Sequence, residues 1–254
     1  MKGSSVEPKA LVLAGYGFNA DAELAEALRL AGAKSERLHV ADLVADPARL
    51  EGARILAFPG GFSFGDHLGS GQVVALLCRR TLRPALERFI ADGGLAIGVC
   101  NGFQALVRMG ILPNRDGHWG REASLIQNES GRFVDGWYPI GFEPGSRCLW
   151  TRGLADRLLP VRHGEGRFVA RDAAALDALE REGLVAARYR AEGPNGSERA
   201  IAGICDPSGR VFGLMPHPEA FLVRENHPGR RRATRDEPGI DLFENGVRAA
   251  RDAS

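Results

Sequence analysis

Cys100 lies where a run of apolar residues gives way to a helical pattern, at the centre of Gly98-Val-Cys-Asn-Gly102, a G-x-C-x-G motif. Glycines two positions before and two after a nucleophile let the backbone turn sharply from strand to helix, and this turn exposes the sulfur above the sheet edge. A helix that begins directly after the cysteine favours the thiolate, which is the reactive form. The motif therefore predicts a nucleophilic thiol at Cys100.

The motif alone leaves other interpretations open. A cysteine between glycines can be a buried residue beside a helix cap, and hydrolases, DJ-1-like proteins and glutaminases all share this elbow. A nucleophile in acyl transfer also needs a base and a group that orients the base. The rest of the sequence must therefore supply both groups if the elbow is catalytic.

His217 and Glu219 are the candidates for base and orienting group. They lie in Met215-Pro-His-Pro-Glu219, at the end of the apolar run 211–215. The flanking prolines restrict the backbone and can hold both side chains on the same side. A lone histidine is more often structural, but combined with the elbow this triplet predicts a triad of Cys100, His217 and Glu219. The other histidines lie in a strand-like run or in loops: His39, His67, His118, His163 and His227.

The oxyanion formed during acyl transfer is usually held by backbone N–H groups. The amide of Asn101 follows the nucleophile and is one expected donor. A predicted strand ends in Pro-Gly-Gly at residues 59–61, at the carboxyl edge where ligands bind in open α/β sheets. We expect the amide of Gly60 or Gly61 to be the second donor. Neither this stretch nor the glycines of residues 15–17 continue into a phosphate-binding fingerprint, so we predict no nucleotide site.

The elements that must position these residues alternate between short apolar runs and amphipathic segments. This alternation is typical of a parallel sheet covered by helices on both faces. Strands are predicted at residues 10–14, 37–41, 54–58 and 95–99. Helices are predicted from Asn19, as N-cap, to near Gly32, around residues 82–90, and from residue 101 to residue 109.

From Ser124 onwards the strands become shorter and glycine more frequent, with one clear helical pattern at residues 173–181. This change indicates an antiparallel extension of the sheet and a return to it through residues 211–215. A last helix has its apolar face formed by Ile240, Phe243, Val247 and Ala250. The predicted fold class is α/β, a doubly wound, mostly parallel, flavodoxin-like sheet with an antiparallel extension, in a single domain over residues 1–254.

The composition argues against several classes of protein. The 254 residues carry a net charge of +1 and no apolar run long enough to span a bilayer, so we expect a cytoplasmic protein without nucleic-acid or membrane partners. The basic run of Arg230, Arg231, Arg232 and Arg235 is interpreted as a solvated loop. The four cysteines form no C-x-x-C pair, so neither a zinc site nor any other metal site is predicted, and no disulfide framework is expected.

Several blocks of sequence together resemble the class I glutamine amidotransferases, and more narrowly the glutaminase subunits of phosphoribosylformylglycinamidine synthase. The blocks are PGGFSFGD at residues 59–66, GVCNGFQ at 98–104, NESGRF at 128–133, HGEGRF at 163–168 and MPHPEA at 215–220. CNGFQ and HGEG distinguish these subunits from relatives that serve other pathways. Two positions depart from the family pattern: Ala220 replaces an arginine that often follows H-P-E, and Gly69-Ser70 replaces Arg-Cys.

The resemblance implies a role for each matching residue. Cys100 would be the nucleophile, His217 the general base and then acid, and Glu219 its orienting group. Asn128 would begin a segment whose backbone receives the amino-acid end of the substrate, and His163 a loop near the site entrance. The positions that would hold substrate or oxyanion are Gly60, Gly61, Phe62, Asn101, Gln104, Asn128 and His163.

The implied reaction is the hydrolysis of L-glutamine to glutamate and ammonia. The ammonia would pass to a large synthetase subunit that makes formylglycinamidine ribonucleotide from formylglycinamide ribonucleotide and ATP in purine biosynthesis. A small third subunit is present in some such assemblies. The chain itself would need no cofactor, because ATP and Mg²⁺ would bind the synthetase. Three alternatives stay open: an amidotransferase subunit serving another acceptor, a DJ-1-like elbow-cysteine protein, and a catalytically silent partner-binding module.

Overall fold

A computed structural model of the chain describes residues 7–191, 193–229 and 238–252. Within these ranges nine strands form one sheet, and two further strands form a small separate sheet. The strands are β1 (Lys9–Ala14), β2 (Lys34–His39), β3 (Ile55–Phe58), β4 (Leu95–Val99), β5 (Ala123–Ile126), β6 (Val134–Phe142), β7 (Arg157–His163), β8 (Arg167–Ala170), β9 (Val185–Tyr189), β10 (Ile201–Cys205) and β11 (Val211–Leu214).

The large sheet has the strand order β2-β1-β3-β4-β11-β10-β9-β6-β7. Neighbouring strands from β2 to β11 are parallel, and those from β11 to β7 are antiparallel. The predicted parallel sheet with an antiparallel extension is therefore confirmed. The small sheet pairs β5 with β8 in antiparallel fashion.

Seven α-helices accompany the strands in the described part of the chain. They are α1 (Asp21–Leu30), α2 (Val40–Ala45), α3 (Gln72–Thr81), α4 (Arg83–Ala91), α5 (Asn101–Met109), α6 (Ala173–Arg181) and α7 (Ile240–Asp252). The connection from β1 through α1 to β2 runs in one direction along the sheet, and the connection from β3 through α3 and α4 to β4 runs in the other. Because such crossovers are right-handed, the two sets of helices cover opposite faces. Accordingly α1 packs against α7, and α3 packs against α5.

The core lies around the central parallel strands. β3 and β4 are buried along their whole length, as expected for strands covered on both faces. β4 also pairs in register with β11, so that Gly98 lies opposite Gly213 and Val99 opposite Leu214. The carboxyl ends of β3, β4 and β11 thus meet at one edge of the sheet.

Two predictions near the amino terminus need correction. The N-cap of α1 is Ala20 and not Asn19, and the backbone N–H of Asn19 instead donates to the Gly60 oxygen at 3.1 Å. β2 ends at His39 and does not reach residue 41. The His39 ring accepts a hydrogen bond from the Ala41 N–H and caps α2, which begins at Val40.

The other elements agree with the sequence predictions to different degrees. β4, α5 and α6 have the predicted bounds, whereas α3 was not predicted at all. The predicted solvated loop at residues 230–235 lies outside the described residues. Among the residues that are described, no helix combines the length and apolar character needed to cross a membrane.

Candidate active site

Cys100 occupies a strained turn between β4 and α5. Its φ of 50° and ψ of −104° lie outside the regions that most residues adopt. The flanking glycines make the turn possible, because an added Cβ would lie 2.6 Å from a Leu106 methyl at Gly98 and 1.9 Å from the Phe58 oxygen at Gly102. Among the described residues no side chain caps α5, so the Asn101 N–H at its start is available as a donor.

His217 follows β11, and its backbone N–H donates to the Pro160 oxygen at 2.8 Å. Its ring Nδ1 lies 2.6 Å from Oε1 of Glu219, and both side chains are buried. Burial by itself lowers the pKa of His217, but the Glu219 carboxylate and Cys100 outweigh burial and raise this pKa to about 10. The opposite ring nitrogen, Nε2, is buried without a hydrogen-bond partner among the described residues. His217 can therefore hold a proton and present it from Nε2.

Gly60 lies close to both His217 and Cys100. A Cβ at Gly60 would lie 2.8 Å from His217 Cε1 and 3.6 Å from Cys100 Cβ, so both side chains approach this glycine closely. The Cys100 thiol donates to the Arg162 oxygen at 3.6 Å and makes no hydrogen bond to His217 Nε2. Such contacts are often long before a substrate binds.

The loop after β3 pairs with the loop after β1. The Phe62 N–H donates to the Gly17 oxygen at 2.9 Å, and the Gly60 oxygen accepts from the Asn19 N–H. Gly61 has a φ of +146°, and a Cβ there would lie 2.5 Å from the Gly17 oxygen. The Phe62 amide is thus engaged, whereas the Gly61 N–H donates to no acceptor within the described ranges.

The side chain of Asn101 connects this loop to the first turn of α5. Its Oδ1 accepts from the Ser63 N–H at 3.2 Å, and its Nδ2 donates to Asp66 Oδ1 at 3.0 Å and to Gln104 Oε1 at 3.1 Å. Gln104 in turn donates from Nε2 to the Glu165 backbone oxygen at 2.5 Å. Three segments around Cys100 are therefore held by one hydrogen-bond network.

His163 is the last residue of β7 and is buried, which corrects its description as a loop residue. Its Nδ1 donates to Asn128 Oδ1 at 3.0 Å, because the Asn128 amide nitrogen is used by the Arg132 and His163 oxygens. Burial, with a smaller effect of nearby His217, lowers the pKa of His163 to about 4. A neutral His163 therefore forms part of the floor of the site near neutral pH.

The side chain of Asn128 is fully occupied by this support. Besides the contacts with His163 and Arg132, its Oδ1 accepts from the Gly166 N–H at 3.0 Å. A Cβ on Gly166 would lie 2.2 Å from the His163 ring, so the glycine is needed where the loop passes over the imidazole. Asn128 thereby holds residues 163–166 in place, and any contact with substrate would come from the backbone of its segment.

These residues surround a cavity of about 290 Å³, a size at the small end of ligand pockets. Of the residues singled out from sequence, the cavity wall includes Gly61, Phe62, Cys100, Gln104, His163 and His217. It also includes Asp66, Ser70 and Glu165, which lie in or next to the sequence blocks above but had no assigned role. No pattern marked these side chains as functional, because their partners lie far away in the sequence.

A larger cavity of about 820 Å³ lies at the opposite edge of the sheet. Its wall includes Lys9 at the start of β1, Arg54 before β3 and Gly94 before β4. This edge carries the amino ends of the parallel strands, away from the nucleophile, and ligands of open α/β sheets bind at the carboxyl ends. We therefore place the candidate site in the smaller cavity. The described residues contain no group of three or more His, Cys, Asp or Glu side chains that could hold a metal ion.

Comparison with known proteins finds relatives that match most of the chain. A profile of the CobB/CobQ-like glutamine amidotransferase domain matches residues 7–248. Phosphoribosylformylglycinamidine synthase subunit PurQ of Dehalococcoides mccartyi is 41% identical over 253 residues, covering 96% of this chain and 98% of that protein. The subunit of the same name from Methanococcus maripaludis is 39% identical over 235 residues, covering 88% and 86%.

Solved structures also resemble the chain. A chain in the structure of PurLQS from Thermotoga maritima has a TM-score of 0.74 and 29% identity to this chain. The match covers 96% of this chain and 99% of that chain. A glutamine amidotransferase from the same organism has a TM-score of 0.51 and 14% identity, covering 87% and 79%. The second similarity shows a shared fold.

Proposed function

The chain belongs to the CobB/CobQ-like glutamine amidotransferase family and, within it, to the PurQ subunits of phosphoribosylformylglycinamidine synthase; from this premise we propose that Cys100, His217 and Glu219 hydrolyse L-glutamine. The observation that carries the proposal is the assembly of the three at one sheet edge, with a buried 2.6 Å contact between His217 and Glu219. A thiol, a base and an orienting carboxylate are the parts that acyl transfer requires.

In the proposed reaction the proton of the Cys100 thiol has already passed to His217, and the resulting thiolate attacks the side-chain amide carbon of glutamine. His217 then protonates the departing nitrogen, which leaves as ammonia, and a γ-glutamyl thioester remains on Cys100. Water activated by the same imidazole releases glutamate and restores the thiol. The raised pKa of His217 suits the first half of this cycle, because the ring must carry a proton to deliver it.

The negative charge on the amide oxygen needs hydrogen-bond donors in the transition state. No acceptor is found among the described residues for the N–H groups of Asn101, Gly60 and Gly61, and of the two glycines Gly61 lines the cavity. Phe62 cannot contribute its N–H while it donates to the Gly17 oxygen. We therefore assign the oxyanion to Asn101 and Gly61 and give Phe62 a place at the rim of the cavity.

The proposed product is ammonia for a synthetase. Ammonia acts as a nucleophile only while unprotonated, and most of it would be protonated in bulk water near pH 7. Direct transfer to a docked large subunit avoids this loss, and that subunit would bind ATP and Mg²⁺. The PurLQS structure of Thermotoga maritima supports such a partner, since its chain resembles this one over nearly the full length. A small third subunit is part of the proposal on the same resemblance.

We also propose that docking to the synthetase raises the glutaminase activity of the chain. The loop of residues 60–62 is tied to residues 17–19 in the free chain, so the partner could change the donors that face Cys100. Glutamate release from the purified chain should be low and should rise when the synthetase is added. Full activity without the synthetase would refute this gating.

A glutamine-analogue chloroketone tests the chemistry. With the synthetase present, we expect one adduct at Cys100, found by peptide mass spectrometry, and none in a Cys100→Ala variant. Modification at another residue, or none, would reject a glutaminase and favour a DJ-1-like or silent protein. The acceptor is tested separately by ATP- and glutamine-dependent conversion of formylglycinamide ribonucleotide with the cognate synthetase; failure there with intact glutaminase activity would favour another acceptor.

A further inference from the structure

The end of β7 forms one wall of the cavity. The Arg162 oxygen lies 3.6 Å from the Cys100 sulfur, and the Glu165 oxygen accepts from Gln104 at 2.5 Å. Gln104 is four residues after Cys100, about one helical turn or about 6 Å along the axis of α5. Residues 162–165 therefore contact both Cys100 and Gln104 along this wall.

The carboxylate of Glu165 is held separately from its backbone. Its Oε2 accepts from the Ser70 N–H at 3.1 Å and lies 3.5 Å from Nη2 of Arg108. Arg108 is itself fixed by a 2.7 Å bond to the Ser70 oxygen and a 3.0 Å bond to Gln72. The Glu165 carboxylate is thus oriented by Ser70 and Arg108, whereas Gln104 contacts only the backbone oxygen of Glu165.

Two other carboxylates line the same cavity and are less suited to bind a cation. Asp66 Oδ1 already accepts from the Gly71 N–H and from Asn101, and burial raises the pKa of Asp66, which disfavours its charged form. Glu23 is exposed on α1, and no hydrogen bond to it is found among the described residues. Glu165 therefore combines a fixed position with an Oε1 that has no hydrogen-bond partner in the described chain.

We propose that the Glu165 carboxylate binds the α-ammonium group of the substrate and thereby selects an α-amino acid amide over other amides; this inference rests on the function proposed above. In an extended glutamine four bonds separate the amide carbon from the α-nitrogen, about 5 Å for bonds near 1.5 Å. Cys100 and Glu165 line the same cavity, and the Glu165 segment contacts the side chain of Gln104, which lies one helical turn beyond Cys100. A charge-assisted hydrogen bond to a fixed carboxylate gives both affinity and selectivity.

The test compares glutamine with its des-amino analogue, 5-amino-5-oxopentanoate, as substrates of the assembled synthase complex. Glu165→Gln keeps an oxygen that can accept from the Ser70 N–H but removes the charge. We expect kcat/KM for glutamine to fall about 10- to 100-fold, mainly through KM, as for loss of a hydrogen bond to a charged group. The value for the analogue should stay within about twofold. A purely structural role would lower both values together.

Glu23→Gln is the matched control, because it removes an exposed carboxylate at the rim of the cavity. In this variant the ratio of kcat/KM for glutamine to kcat/KM for the analogue should equal that of the wild type. The inference would be overturned if Glu165→Gln lowered kcat/KM equally for both substrates. It would also be overturned if the ratio of the two kcat/KM values changed in Glu23→Gln instead. Iodoacetamide labelling of Cys100 should keep its rate in Glu165→Gln. Retained glutamine hydrolysis in Cys100→Ala would refute the proposed function itself, which is a different result from either of these.

Discussion

His217 and Glu219 form a 2.6 Å hydrogen bond between Nδ1 and Oε1, although only Pro218 separates them in the chain. Residues 218–220 form a short 3₁₀ turn, which brings the carboxylate back beneath the ring. Since Nδ1 donates to the carboxylate, Nε2 is the nitrogen that faces the reacting groups. The contact therefore fixes the orientation of the proposed base without help from a distant part of the chain.

Replacing Glu219 tests this arrangement. We expect Glu219→Gln to lower kcat for glutamine hydrolysis by the assembled complex by about 10² to 10⁴, as for neutral replacements of the acid in related triads. The amide can still accept from Nδ1 but does not stabilise the charged ring. Thermal unfolding should show whether the variant remains folded. A loss below about threefold in a folded variant would contradict the role of Glu219.

Gly60→Ala should impair catalysis by displacing the base. The new Cβ would lie 2.8 Å from His217 Cε1, so the ring must shift from its present position. We expect kcat to fall at least 10-fold, and thermal unfolding should show whether the variant remains folded. Gly145→Ala is the control, since a Cβ there meets no atom within 4 Å and its φ is ordinary. Equal activities of the two variants would contradict the prediction.

Thiol labelling should distinguish Cys100 from the other cysteines. Cys78, Cys148 and Cys205 are at most 1% exposed, whereas Cys100 lines the cavity. Burial also raises the pKa of Cys78 to about 12, which suppresses its reactive form. We expect iodoacetamide to add one group to the native chain, at Cys100, and four in denaturant. Comparable labelling of a second cysteine in the native chain would disagree with its burial.

His163 should make stability depend on pH in acid solution. Its pKa is about 4 in the folded chain and about 6.5 in an unfolded one, so the unfolded state binds more protons between these values. Its contribution is therefore present above pH 6.5 and is lost as the pH falls towards 4. The shift corresponds to about 3 kcal/mol of unfolding free energy across this window.

His163→Gln is the comparison for this prediction, because a neutral side chain can still donate to Asn128. Urea unfolding at pH 7 and pH 4.5 should show that the wild type loses about 2 kcal/mol more than the variant. Both proteins contain His217, so the change in stability that its raised pKa causes between pH 4.5 and pH 7 cancels in the comparison. Parallel losses in both proteins would exclude His163 as the source.

The sequence predicted the elbow because two strong signals coincide there. An apolar run long enough for a buried strand meets a glycine pair around Cys100, and β4 and α5 have the predicted bounds. β2 was misplaced because Leu38 is its one buried residue, so its sequence lacks the alternation that marks a half-buried strand. Pairing with β1, which is not visible in the sequence, decides where β2 lies.

Missing local signals also explain the other errors. α3 follows Gly71, has no side-chain cap and exposes Leu76, so neither a start signal nor a clean apolar face was available. His163 was taken for a loop residue because the asparagines that bury it, Asn128 and Asn195, are 35 and 32 residues away. Polar networks of this kind depend on tertiary contacts, which local patterns do not encode.

The pairing of β4 with β11 has a consequence for how far from the cavity a substitution can act. Cys100 follows Val99 directly, His217 comes three residues after Leu214, and Val99 and Leu214 are partners in the ladder. Sliding β11 by one residue would move the histidine about 3.3 Å and turn alternate side chains to the wrong face. The register between β4 and β11 therefore sets the distance between the thiol and the imidazole. A side chain at Gly213 would disturb this register, because a Cβ there would lie 2.1 Å from the Phe103 ring. A substitution at Gly213 can therefore affect the site although it lies outside the cavity.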